Sequence, residues 1–181
     1  MVSELRTRKF TALFACFDFD KNGVLEKADY EHFAHNLSQA YELRPGSPHY
    51  AAMYAETMAL WEFVHNVADK DGDHRITTAE FIDAYAAMTN DDATFHQLLM
   101  SYAEYVIRTG DRDGDGRLDE NEYATILWCY GIADADARAA FRHLVTDGSG
   151  YLTNAAMEKV FAEFFRSDDE KEPGNWMIGP L

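Results

Sequence analysis

Asp111-Arg112-Asp113-Gly114-Asp115-Gly116-Arg117-Leu118-Asp119-Glu120-Asn121-Glu122 is the stretch from which the rest of this chain can be read. A hard divalent cation such as calcium takes about six to eight oxygens at about 2.3–2.6 Å. A twelve-residue loop supplies them from positions 1, 3, 5, 7, 9 and 12 around a sharp turn at position 6. Here those positions hold Asp111, Asp113, Asp115, the backbone carbonyl of Arg117, Asp119 (acting through a water) and Glu122, with Gly116 at the turn. The loop meets every requirement.

The same frame recurs three times. Residues 18–29 offer Asp18, Asp20, Asn22, the carbonyl of Val24, Glu26 and Asp29, with Gly23 at the turn. Asp29 is one methylene shorter than the usual glutamate, so bidentate capture of calcium draws the following helix inward and Mg²⁺ competes better. Residues 69–80 offer Asp69, Asp71, Asp73, the carbonyl of Arg75, Thr77 and Glu80, but His74 stands where glycine is expected. A left-handed backbone costs a non-glycine residue about 1–2 kcal/mol, so binding is expected with some loss of affinity. Residues 145–156, in the register of Gly150 and Leu152, begin with Val145 and end with Ala156. With only Asp147 and Ser149 left, this loop is expected to be structural. Its partner would be the third loop, because apolar residues at position 8 (Leu25 with Ile76, Leu118 with Leu152) can join neighbouring loops through a short ladder.

Each loop is flanked by apolar residues at helical spacing, such as Phe10, Leu13, Phe14 and Phe17 before the first and Tyr30, Phe33, Ala34 and Leu37 after it. The expected fold is all-α: four helix-loop-helix units arranged as two pairs in one compact body. The 181 residues carry 47% hydrophobic residues, enough for such a core. Sixteen Lys and Arg against thirty-two Asp and Glu give a formal charge of −16. Thirteen of those carboxylates occupy liganding positions in the three loops, and removing them from −16 leaves −3. Such a charge argues against nucleic acid and anionic membrane surfaces as partners. Calcium ions are the expected partners, about three per monomer, with Mg²⁺ possible at the first loop. No target protein is indicated.

At this point the residues resemble the EF-hand superfamily. Phe17-Asp18-Phe19-Asp20-Lys21-Asn22-Gly23 through Ala28-Asp29-Tyr30, the long spacing between the first two loops and the apolar C-terminal tail are similar to the sarcoplasmic calcium-binding protein and calerythrin group. The resemblance covers nearly the whole chain and implies two EF-hand pairs, residues 1–88 and 89–166. It also implies buffering or transport of calcium. The tail, 167–181, carries Trp176, Met177, Ile178 and Leu181 and is expected to dock on the core.

Other signals have plainer explanations. His32 and His35 sit three apart with no third ligand apparent, and Gly148-Ser149-Gly150 lies inside the degenerate loop with no strand before it. The aromatic residues fall on helix-buried phases, as core side chains do. Cys16 and Cys129 are expected to be free thiols in a reducing compartment. The N-terminal segment has no apolar stretch of a secretory signal and Val2 excludes myristoylation, so a cytoplasmic protein is expected. Seven dispersed methionines do not make the Met-rich groove of a calcium sensor. A non-enzymatic calcium buffer is therefore the first expectation, a sensor acting on a partner protein the second, and a photoprotein-like enzyme a remote third.

Overall fold

The computed structural model describes residues 2–181, and Ser3 begins its first helix by accepting the Arg6 amide on its hydroxyl, 3.2 Å away. That helix, α1 (Glu4–Phe17), leads through the first loop and β1 (Val24–Leu25) to α2 (Lys27–Ala40). After a turn comes α3 (Pro48–Ala68), with Ser47 as its N-cap and Pro48 in its first turn, where a missing amide costs nothing. The second loop and β2 (Ile76–Thr77) lead to α4 (Thr78–Asn90). Then follow α5 (Asp92–Gly110), β3 (Arg117–Leu118), α6 (Glu120–Cys129), α7 (Asp134–Leu144), β4 (Leu152–Thr153) and α8 (Asn154–Arg166). A 3-10 turn, Pro173–Trp176, lies in the tail. No helix among the described residues is long and apolar enough to cross a membrane. Cys16 and Cys129 are free thiols.

The two-residue strands pair antiparallel, β1 with β2 and β3 with β4. Their registers set Leu25 opposite Ile76 and Leu118 opposite Leu152, as position 8 of the loops predicts. All four side chains are fully buried, so each ladder ties two loops to the core as well as to each other.

Aromatic contacts carry the core across the middle of the chain. Phe33 of α2 stacks on Tyr130 with ring centroids 4.4 Å apart. Phe10 of α1 lies 6.0 Å from Tyr85 and 6.1 Å from Phe165. Offset and edge-on ring pairs at such spacings add about 0.5–1.5 kcal/mol each beyond the area they bury. The tail packs on α7 and α8: Trp176 stacks on His143 at 3.8 Å, the Gly174 amide donates to Glu163 Oε2, and Tyr123 donates its phenolic proton to the Met177 carbonyl.

The residues 89–92 read as a turn, yet only Asp91 separates α4 from α5. Asp91 caps α5 by accepting the Thr94 amide at 2.8 Å, and a side chain distant in sequence holds the junction. Arg166, at the end of α8, donates from Nε to the Thr89 carbonyl at 2.6 Å, pairs with Asp92 at 2.9 Å and lies over the Phe95 ring. Beside it the fully buried Lys9 donates from Nζ to the carbonyls of Glu163 and Ser167, at 3.0 and 2.9 Å, closing the open end of α8.

Two predictions follow from these contacts. Burial pushes the Lys9 ammonium down to about 8 from its ordinary 10.5. Between those values the unfolded chain holds a proton that the folded chain does not, so stability rises with pH in that window. In urea unfolding with saturating calcium, the wild type should gain stability relative to Lys9→Met between pH 8 and 10; parallel curves would contradict this. Gly110 ends α5 so close to its neighbours that an added Cβ would fall on Ile126 Cδ1 and lie 2.6 Å from Leu118 Cδ2. Gly110→Ala should cost about 1–3 kcal/mol in the same assay, and an unchanged midpoint would show that this junction can relax.

Candidate metal centres

Each loop begins where a helix ends. Asp18, Asp69 and Asp111 are the C-caps of α1, α3 and α5, and each donates its amide to the carbonyl four residues back. The chain then curls around the first aspartate. In the third loop Asp111 Oδ1 accepts the Gly114 amide at 2.7 Å and Oδ2 the Gly116 amide at 2.9 Å. The Gly116 bond is the main reason the Asp111 carboxyl is held below its ordinary range. In the first loop Asp18 accepts the amides of Asn22 and Gly23, and in the second Asp69 accepts those of Gly72 and His74. Position 6 is left-handed in every loop, with φ of 85° at Gly23, 66° at His74, 82° at Gly116 and 80° at Gly150. His74 therefore adopts the conformation its loop demands despite its Cβ.

The last carboxylate of each of the first three loops holds the following helix. Glu122 Oε2 accepts the Asp119 amide at 2.9 Å while Oε1 accepts the Arg112 amide at 2.8 Å, linking the end of the loop to its start. Asp29 does the same with the shorter side chain, accepting from Glu26 at 2.9 Å and Phe19 at 3.2 Å. Burial raises the Asp29 carboxyl, and the charges of Asp20 and Asp18 raise it further. Glu80 accepts from the Thr77 amide at 2.9 Å and more weakly from Lys70 at 3.4 Å, and the Thr77 bond lowers its carboxyl.

The sequence-predicted residues converge in three places. Asp18, Asp20 and Asp29 bring one oxygen each within 4.8 Å of one another, as do Asp69, Asp71 and Asp73, and Asp111, Asp113 and Glu122. Asn22 adjoins the first group, its amide accepted by Asp20 at 3.0 Å and its own Oδ1 accepting the Val24 amide. Asp115 stands apart from the third group, because its carboxylate accepts both the amide and the Nε of Arg117. Glu80 stands apart from the second, held by Thr77. The fourth loop has only Asp147 accepting the Ser149 amide.

Arg75 and Arg117, considered in the sequence only for their carbonyls, also act through their side chains. Arg75 donates from Nε to Glu26 Oε1 at 2.7 Å, bridging the first and second loops, and the Arg117 guanidinium lies 3.7 Å from the Tyr151 ring centroid of the fourth. A basic residue beside the ladder in both pairs is the signal that could have revealed these bridges. His65, whose Nε2 lies 3.0 Å from Asp69 Oδ2, was not foreseen at all.

Comparison with known proteins agrees with this geometry. Residues 72–127 match the EF-hand domain pair family. Calerythrin from Saccharopolyspora erythraea is 25% identical over 155 residues, covering 84% of this chain and 88% of that protein. The beta chain of sarcoplasmic calcium-binding protein from Penaeus sp. is 29% identical over 175 residues, covering 91% and 90%. A solved structure of a Streptomyces coelicolor calcium-binding protein, described in terms of prokaryotic calcium-mediated regulation, superposes with a TM-score of 0.72 at 29% identity, covering 88% of this chain and 97% of that one. Residues 72–127 are thus an EF-hand domain pair, and over most of its length the chain is similar to the calcium-binding proteins of the calerythrin and sarcoplasmic group.

Proposed function

We propose that this protein is a cytoplasmic, monomeric calcium buffer with three metal sites. The observation that carries this is the convergence, each within 4.8 Å, of three carboxylate sets, from positions 1, 3 and 12 of the first and third loops and positions 1, 3 and 5 of the second. The ligands are Asp18, Asp20, Asn22, the Val24 carbonyl and Asp29 in the first site, and Asp69, Asp71, Asp73, the Arg75 carbonyl and Glu80 in the second. The third uses Asp111, Asp113, Asp115, the Arg117 carbonyl and Glu122. Asp115 and Glu80 turn toward the ion when it binds. The hands work as two pairs, 1–88 and 89–166, with the fourth hand serving only to support the third and the tail closing the body.

Buffering is favoured over sensing by what the core would have to give up on opening. The α2–α6 stack of Phe33 on Tyr130 and the group of Phe10, Tyr85 and Phe165 join the two halves, so exposing a groove would break contacts between them. Calcium would then order and stabilise the fold by binding it alone. Sensing is the second reading, favoured by the likeness to the Streptomyces protein associated with calcium-mediated regulation. Photoprotein-like enzymology is the remote third reading: the aromatic cavity among Tyr85, Tyr102, Tyr123 and Tyr130 measures about 60 Å³, less than an organic chromophore fills, and the larger hollow of about 610 Å³ between α3 and α5 is lined in part by the charged side chains of Glu56, Glu104 and Arg108.

Calorimetric titration should find three calcium ions per chain and two in Glu122→Gln; three in the variant would overturn the assignment of the third site. Asp29→Glu should raise the preference for calcium over Mg²⁺ at one site, and an unchanged ratio would remove side-chain length as its cause. A fluorescent probe of exposed apolar surface should show no increase on calcium binding. A marked increase would favour the sensor.

A further inference from the structure

We propose that His65, His74 and Asp69 form a site for one borderline cation of the zinc type at the edge of the second loop. Zinc takes imidazole nitrogen at about 2.0–2.1 Å and carboxylate oxygen at about 2.0–2.2 Å in a tetrahedron, which sets its donors about 3.3 Å apart. His65 Nε2 lies 3.0 Å from Asp69 Oδ2 and 3.2 Å from His74 Nδ1, and the donors of all three residues fall within 4.8 Å of one another. Calcium, which prefers oxygen, has no use for the two nitrogens.

The placement has two separate causes. His65 stands one helical turn before Asp69 at the end of α3, where the neighbouring Trp61 ring, centroid 5.0 Å away, covers it on one side. His74 reaches the same spot from the turn of the loop, where its φ of 66° replaces the glycine conformation of the other loops. Its ring lies within 11° of parallel to that of His65. As they stand the two rings are stacked, so the exposed His74 side chain must reorient for both lone pairs to point at one ion, with solvent completing the fourth position. Asp69 has two oxygens, so it can serve this ion on the imidazole side while remaining the first residue of the calcium loop.

Asp69 is shared with the proposed second calcium site and the two nitrogens are not, so variants of the histidines test the zinc site apart from the calcium assignment. Protein saturated with calcium, its calcium stoichiometry already measured, is titrated with ZnCl₂ by calorimetry and with CoCl₂ by visible absorption. One Zn²⁺ per chain is expected, with the intense visible bands of tetrahedral Co²⁺. His65→Ala and His74→Gly should each weaken zinc binding tenfold or more while keeping the calcium isotherm of the third loop, which certifies the fold. A double His32→Ala, His35→Ala variant should bind zinc as the wild type does. No zinc uptake by the wild type, wild-type affinity in His65→Ala and His74→Gly, or loss only in the His32/His35 variant would each overturn the proposal.

Discussion

Three groups of carboxylates, the members of each held within 4.8 Å of one another, are the constraint around which this protein is built. Like charges at such separations repel by about 1 kcal/mol in water and several times that near a protein surface. The loop amides offset part of this, as they do for Asp111, but at Asp29 burial and the charges of Asp20 and Asp18 still work against ionisation. A divalent cation among them replaces the mutual repulsion with attraction and offsets the cost of burial. The formal charge of −16, most of it at liganding positions, is the same fact seen in the composition.

Everything else keeps the loops where a cation can collect them. The ladders register Leu25 on Ile76 and Leu118 on Leu152, fixing the loops in pairs, and Arg75 and Arg117 add cross-loop contacts just outside the ligands. Beneath them, α1 and α2 pack against elements of the second half, while Lys9 and Arg166 seal the end of α8 against the chain's middle. A change at one loop is thereby opposed by contacts with the whole body, as the proposed storage role requires.

Much of this was legible because it is local. The frame of the twelve-residue loops picks out the carboxylates that converge, Asp29 and His74 announce their departures, and the position-8 residues give the strand register. What was not legible depends on partners far away in sequence. The helix break at 89–92 shrinks to Asp91 because Arg166 arrives from α8, and Lys9 is buried because it meets carbonyls more than 150 residues distant. Among the histidines, His32 and His35 drew attention by their spacing. The pair that meets is His65 and His74, brought together by the end of a helix and a left-handed turn.

The most direct test is differential scanning calorimetry of the chain stripped with chelator and then saturated with calcium, alongside a sodium chloride control of equal ionic strength. If cations complete the fold, calcium should raise Tm by at least about 10 °C and salt alone by far less. An equal Tm with and without calcium would show that the carboxylates are not the constraint on which the structure depends.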